Sequence, residues 1–278
     1  TAQLGTIYGI ANKINKIIIK DKIKLLNYCY NKGLKNIDTA YSYENSHQII
    51  GQWIKNNKVY PKISTKVPNL KKYNSNIYQK LIDIIFTELN IKKIENLFLH
   101  NPKDWKNSDL RKYIINILEK KLISKFGLSI YDKEDIYQDP KIKILQVPGN
   151  IFNQNIINSD EIKLFTENGG EVHIRSIFIQ GLLLMDQNYV PKHLEQAKKG
   201  LVFYQNIANE LKINKTHLAI ICMKYLLPKS KIVIGIDNIS QINDLLKIEK
   251  YDFNKSDIKE ILKMSTKYSG EIWDTRKW

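Results

Sequence analysis

The chain has only two cysteines, three arginines and no long apolar run, and each shortage removes a class of function. Cys29 and Cys222 each sit inside an apolar helical pattern, away from any CxxC pair or a His at ligand spacing. They read as buried thiols in a reducing compartment, so neither a disulfide framework nor a metal site is expected. No stretch approaches the roughly 18 consecutive apolar residues of a membrane-spanning helix, and residues 1–12 lack the basic-then-apolar order of a signal peptide. A soluble, cytoplasmic protein is the expectation. The sequence opens abruptly on what looks like a strand, which suggests that a few native residues precede it.

Arginine is scarce while the formal charge is +16: of 44 basic residues, only Arg111, Arg175 and Arg276 are arginines. Nucleic-acid recognition favours arginine and gathers basic groups on one stripe beside stacking aromatics. Here lysines are spread along the chain among many Ile and Asn, which reads as a compositional bias and a solvated surface. A nucleic-acid binder would rest on net charge alone. The charge does suit attraction of small anions, a dinucleotide included.

What is present is alternation. Short apolar, β-branched runs occur at 36–40 (NIDTA), 63–67 (ISTKV), 96–100 (NLFLH), 125–129 (KFGLS), 144–150 (ILQVPGN), 172–178 (VHIRSIF) and 232–236 (IVIGI), with TAQLG at the start a plausible eighth. Amphipathic segments lie between them. Residues 21–33 place Ile23, Leu26, Cys29 and Tyr30 on one face and stop at Gly33, while 75–90 and 108–121 each open on a Ser cap. Eight strands alternating with helices, without a linker or composition break, predict a single (β/α)8 barrel domain over residues 1–278. A doubly wound open sheet is the competitor, but it wants a Gly-rich phosphate loop, and GxGxxG is absent. Helical stretches 194–211 and 215–227 both fall before the last strand, so one of them is an extra helix between strands seven and eight.

Catalytic groups of such barrels come from the C-terminal ends of the strands. Those ends carry Asp38, Lys66, His100, Ser129, Gln146, Asn150, Arg175 and Ser176, and Tyr43 follows the first. Taken singly, Asp38 reads equally as a helix cap, Lys66 as a surface amine, His100 as a satisfied imidazole and Tyr43 as a rim aromatic. Together they compose a proton donor. A phenol with a pKa near ~10 needs a neighbouring cation to act as an acid at neutral pH. Lys66 would supply that cation, Asp38 would hold it, and His100 would polarise a carbonyl oxygen. Such a site suits reduction of an aldehyde or ketone, with the hydride supplied by a cofactor.

At this point the sequence resembles the aldo-keto reductase family. DTAYSYENSHQIIG carries Asp38 and Tyr43 at the family's catalytic spacing, STK carries Lys66 and LFLHNP carries His100, and the likeness extends to about Leu246. The resemblance implies a (β/α)8 barrel binding NADPH, or less often NADH, across its mouth, with a small-molecule carbonyl substrate. Carried over by position, it puts Ser129 and Gln146 at the nicotinamide carboxamide. It also puts Ser176, Phe178, Gln180 and Gly181 by the pyrophosphate, and Gly235, Asp237 and Gln241 at the adenosine end.

Three departures stand out. Ile130 replaces an Asn, Arg175 replaces an aromatic that stacks on the nicotinamide, and residues 236–246 contain no Lys or Arg to meet a 2′-phosphate. Arg175 would stack on the cofactor ring or bind a substrate carboxylate or phosphate. Asp237 would repel a 2′-phosphate, which brings NADH into consideration. The departures also motivate a rival reading: a barrel that binds a dinucleotide or a partner protein without turnover. QVPGNIFNQ, EVHIRSIFIQGLLLM and the terminal WDTRKW resemble a bacterial branch linked to surface sugars, which implies a sugar-derived or anionic substrate. Tyr8, Trp105, Trp273 and Trp278 are candidate pocket walls.

Overall fold

The computed structural model describes residues 2–5, 9–10, 18–69, 77–248 and 254–278. Seven parallel strands pair strictly in chain order: β1 (Asn36–Asp38), β2 (Lys62–Val67), β3 (Ile94–Leu99), β4 (Ile123–Ser129), β5 (Ile142–Pro148), β6 (Glu171–Arg175) and β7 (Lys231–Ile232). Helices α1 (Ala2–Gly5) and α2 (Ile19–Asn31) precede them. α3 (Ser46–Asn57), α4 (Tyr78–Leu89), α5 (Ser108–Glu119) and α6 (Asp160–Glu167) are interleaved, α7 (Lys198–Glu210) and α8 (Lys215–Leu226) separate β6 from β7, and α9 (Ile239–Leu245) and α10 (Lys255–Ser265) follow. None of these helices is long and apolar enough to cross a membrane.

Period-two alternation decides which side chains face which way. Ile63, Val67, Leu97, Leu99, Leu128, Leu145, Val147, Val172 and Ile174 are buried and join one apolar core with helical Leu81, Ile85, Ile114, Ile117 and Ile162. The alternate positions carry buried polar groups, among them Ser64, Lys66, Asn96, Gln146 and His173. Their partners show that the sheet curls onto itself. Gln146 on β5 donates to Asp38 on β1 at 2.7 Å, although three strands separate them. Lys125 on β4 reaches Glu171 on β6 at 2.6 Å, and Lys231 on β7 reaches the same carboxylate at 2.7 Å. On the outside, Tyr28 of α2 donates to Asn243 of α9 at 2.6 Å, so the first and last parts of the helical ring meet. The seven strands curl in the manner of the expected (β/α)8 barrel, with polar groups bridging the inside and an apolar layer between sheet and helices, and no eighth strand occurs among the described residues.

Several local expectations change. TAQLG is a helical turn at Ala2–Gly5 rather than a strand. Its short apolar run does not distinguish the two conformations, and Gly5 lies so close to the Tyr43 carbonyl that a Cβ would sit 2.1 Å from it. Of the last expected strand, 232–236, only Ile232 is regular, paired in Lys231–Ile232, although the Val233 amide still donates to the Ile174 carbonyl. The cap of α5 is Asn107, which accepts from Asp109 and Leu110, rather than Ser108. Ser75, predicted to cap α4, lies outside the described residues.

One glycine has a clear steric reason. β4 and β5 shift register between Phe126 and Gly127, and a Cβ at Gly127 would lie 1.8 Å from the Ile144 carbonyl oxygen. That irregularity sets where Ser129, two residues on, meets Gln146. Gly127→Ala is expected to destabilise the fold by about 1–3 kcal/mol through overpacking, read as a lower midpoint in urea unfolding. An unchanged midpoint would show that the two strands separate freely.

Candidate active site

The strand ends converge as the alternation requires. A cavity of about 410 Å³ at the C-terminal mouth is lined by Asp38, Tyr43, Lys66, His100, Ser129, Gln146, Arg175, Ser176, Phe178, Gln180, Gly181, Gly235, Asp237 and Gln241. Every residue assigned from the sequence to catalysis or cofactor binding is therefore in one pocket. Asn150 is not. It bonds the Trp273 carbonyl and lines a neighbouring groove with the C-terminal tail.

The centre of the site is an ion pair. Lys66 Nζ donates to Asp38 Oδ1 at 2.7 Å and to the Thr39 carbonyl at 2.8 Å, while Gln146 Nε2 donates to Asp38 Oδ2 at 2.7 Å. Lys66 is fully enclosed and Asp38 nearly so. Burial raises the Asp38 carboxyl, but the Lys66 charge and these hydrogen bonds outweigh it and hold the carboxyl below its ordinary value. Burial also pushes the Lys66 ammonium down, with Asp38 opposing the shift. Asp38 is thus the partner of Lys66 and not a helix cap. Asn45 occupies the N-cap position of α3, with no cap bond from its side chain.

Tyr43 lies beside this pair, with Lys66 Nζ 5.5 Å from its ring centre. Burial raises the Tyr43 pKa most, the Asp38 carboxylate raises it further, and Arg175 lowers it. His100 Nδ1 lies 3.2 Å from the Ser42 hydroxyl. Burial, with Lys66 and Arg175 nearby, lowers its pKa to about 4, so the imidazole is neutral at pH 7.

Arg175 donates to the Ile130 carbonyl at 3.1 Å and lies 4.0 Å from the Tyr131 ring centre. Arg276 of the tail reaches the same ring at 4.6 Å and is fixed by Asp132 and Asp274, to which it donates through two bonds and three bonds respectively. Tyr131, Asp244, Asn214, Thr216 and Thr275 also line the cavity and were not singled out from the sequence. Tyr131 directly follows the GLSI end of β4, which was the available signal; the tail residue Thr275 carried none.

The loop after β6 is held in an uncommon backbone. Ser176, Ile179 and Gln180 have φ of 63°, 52° and 54°, and Gly181 has 95°. A β-branched residue at positive φ is a genuine outlier, and such strain clusters at sites where a loop must hold one shape. Of the predicted walls, Trp105 is buried against Phe126 and bonds Asp139 instead, Trp273 stacks on Phe152 at 4.2 Å and faces the neighbouring groove, and Trp278 bonds the Ile272 carbonyl. Tyr8 lies outside the described residues.

Three buried polar atoms of the lining have no hydrogen-bond partner among the described residues: Ser129 Oγ, Gln146 Oε1 and Asp237 Oδ1. Ser129 and Gln146 are paired across β4 and β5. An amide-bearing ligand would satisfy that pair, so the mouth fits the carboxamide of a nicotinamide ring. No cluster of metal-ligating side chains occurs among the described residues.

The sequence profile of the Aldo/keto reductase family matches residues 3–266, and the chain belongs to that family. It is accordingly an oxidoreductase of the class that exchanges hydride between a nicotinamide cofactor and a carbonyl compound. No curated protein matches the sequence. Among solved structures, an aldose reductase from Giardia lamblia is 13% identical, with a TM-score of 0.69 over 91% of this chain and 90% of that one. An aldo/keto reductase from Brucella melitensis is 17% identical, with a TM-score of 0.66 over 88% of each chain. Gox0644, solved in complex with NADPH, is 11% identical, with a TM-score of 0.69 over 90% of this chain and 86% of that one. These likenesses are likenesses of fold.

Breaking the central pair tests its cohesion. Asp38→Asn leaves Lys66 buried without a counter-charge and is expected to cost about 3–5 kcal/mol, read by denaturant unfolding. The double variant Asp38→Asn with Lys66→Met should recover part of that loss. A single variant as stable as the parent would mean that the pair does not hold the mouth together.

Proposed function

We propose that the chain, as one barrel domain over residues 1–278, reduces an aldehyde or ketone with Tyr43 as the proton donor. The observation that carries this is the buried Asp38–Lys66–Gln146 contact, with Tyr43 and neutral His100 beside it in one cavity. A bound nicotinamide dinucleotide supplies the hydride to the carbonyl carbon. Tyr43 keeps its proton at rest, because burial disfavours the phenolate. As negative charge builds on the substrate oxygen, that oxygen becomes a stronger base than phenolate and takes the proton. Arg175 favours the phenolate that remains, beside the Lys66 ammonium 5.5 Å from the ring. The Asp38–Lys66 pair fixes the geometry beneath the phenol. His100, being neutral, donates one ring N–H to the carbonyl oxygen and orients it without competing for the proton.

Ser129 and Gln146 hold the carboxamide in this reading, supported by their unpartnered buried atoms. The strained loop from Ser176 to Gly181 and the segment from Gly235 to Gln241 line the path of the remaining dinucleotide.

Arg175 is the feature that bears on substrate. It has no carboxylate partner among the described residues, whereas Arg276 nearby is held by two. A guanidinium facing a cavity complements an anion, so the substrate carries a carboxylate or phosphate close to its carbonyl. A phosphorylated or nucleotide-linked sugar is the form that joins such a charge to a sugar carbonyl.

Two measurements check these assignments. Tyr43→Phe should abolish turnover while leaving dinucleotide affinity nearly intact by fluorescence titration; retained turnover would remove Tyr43 from the mechanism. Arg175→Gln should lower kcat for all substrates, because the phenolate loses a neighbouring cation, but should raise KM by about tenfold or more only for anionic carbonyl compounds. An equal change in KM for anionic and neutral substrates would remove the anion site.

A further inference from the structure

We infer that the end of the cavity built by Asp237 and Gln241 receives an unphosphorylated ribose, so that this chain binds NADH in preference to NADPH. The inference rests on the reading of the cavity as a dinucleotide site and specifies which dinucleotide.

The charged side chains lining the cavity besides His100 are Asp38, Lys66, Arg175, Asp237 and Asp244. Both cations belong to the catalytic end. Lys66 is bound to Asp38, and Arg175 lies over the Tyr131 ring just beyond β4. Asp237 follows β7 and Asp244 lies on α9. Among the described residues lining the cavity, no lysine or arginine is bonded to either carboxylate.

Asp237 is held in place by its own backbone. Its amide donates to Gln241 Oε1 at 2.7 Å, and the Gln241 amide donates to Asn238 Oδ1 at 3.0 Å. The segment is thus closed around the side chain, yet Asp237 Oδ1 is buried and has no hydrogen-bond partner among the described residues. A buried carboxylate oxygen without a donor is unfavourable unless a ligand brings one. A ribose hydroxyl is such a donor. A 2′-phosphate is the reverse: it brings charge of the same sign and only acceptor oxygens to a site that already holds an acceptor.

Two lysines stand near this end, and both are engaged elsewhere. Lys215 Nζ donates to the Met185 carbonyl and feels the charge of Asp186. Lys247 pairs with Asp244 at 3.0 Å. Neither lines the cavity. The mouth fits a nicotinamide at Ser129 and Gln146, and its far end fits a sugar diol but not a phosphate. Gln241 uses its side-chain oxygen on the chain itself, which leaves its amide group for a further neutral contact. The discrimination is of the kind that combines a donor–acceptor match for one ligand with repulsion of the other.

The test is a binding measurement that needs no substrate. NADH and NADPH are titrated separately against the whole protein by fluorescence and calorimetry. ADP-ribose and its 2′-phosphate serve as competitors that lack the nicotinamide. The wild-type protein should bind NADH about tenfold or more tightly than NADPH, as expected for one charged hydrogen bond gained against one repulsion. ADP-ribose should likewise compete better than its 2′-phosphate. Asp237→Ser should weaken NADH, strengthen NADPH and collapse the ratio. Preference of the wild type for NADPH, equal competition by the two ADP-ribose forms, or a ratio unmoved in the variant would overturn the ribose assignment while leaving the dinucleotide site standing. Binding of neither dinucleotide would overturn the dinucleotide site itself.

Discussion

The rest of the mouth depends on one buried contact, the ammonium of Lys66 held between the Asp38 carboxylate and the Thr39 carbonyl. It joins the end of β1 to β2, and Gln146 extends it across the interior to β5. An ion pair removed from water is costly unless every remaining hydrogen-bonding position is occupied. Here the second oxygen of Asp38 takes the Gln146 amide, and the lysine finds a backbone carbonyl. The satisfied pair fixes the floor on which Tyr43 rests. Arg175 is a further cation that favours the ionised form of Tyr43.

The scarcity of arginine takes on meaning in the folded chain. All three guanidinium groups lie over aromatic rings: Arg111 over Trp105, and both Arg175 and Arg276 over Tyr131. Lysine supplies most of the positive charge of this sequence. Arginine stands where a flat, multiply donating cation meets a ring and an oxygen acceptor together. Two of the three meet at one tyrosine on the wall of the cavity. The tail is fixed there by the carboxylates of Asp132 and Asp274.

The barrel and the gathering of Asp38, Tyr43, Lys66 and His100 in one cavity were legible because both are written in short-range patterns. Period-two alternation ending in Asp38, Lys66 and His100 states where a strand stops and what it presents. The parts that were not legible depend on distant partners. Ala2–Gly5 coils where a strand was expected, and nothing in those residues announces the Tyr43 carbonyl against which Gly5 packs. Tyr131 is an ordinary aromatic in sequence and becomes a wall only when two arginines reach it from β6 and from the tail. The orphaned oxygens of Ser129, Gln146 and Asp237 are wholly a property of the fold, since each residue would be satisfied in another setting.

The polar groups that bridge the inside of the barrel have a consequence for how its sequence can drift. Apolar cohesion lies between strands and helices, whereas the inside is bridged by Lys125, Glu171, Lys231, His173, Asn96 and Ser64 below the mouth. Groups at the mouth thus stand on a scaffold of paired charges and amides interspersed with buried apolar groups such as Phe98, which packs beside His173. A change of specificity can exchange one rim residue for another without opening a void in the layer that keeps the chain folded. A change lower in the barrel must replace donors and acceptors together, so the inner lining is expected to vary in correlated sets while the rim varies one residue at a time.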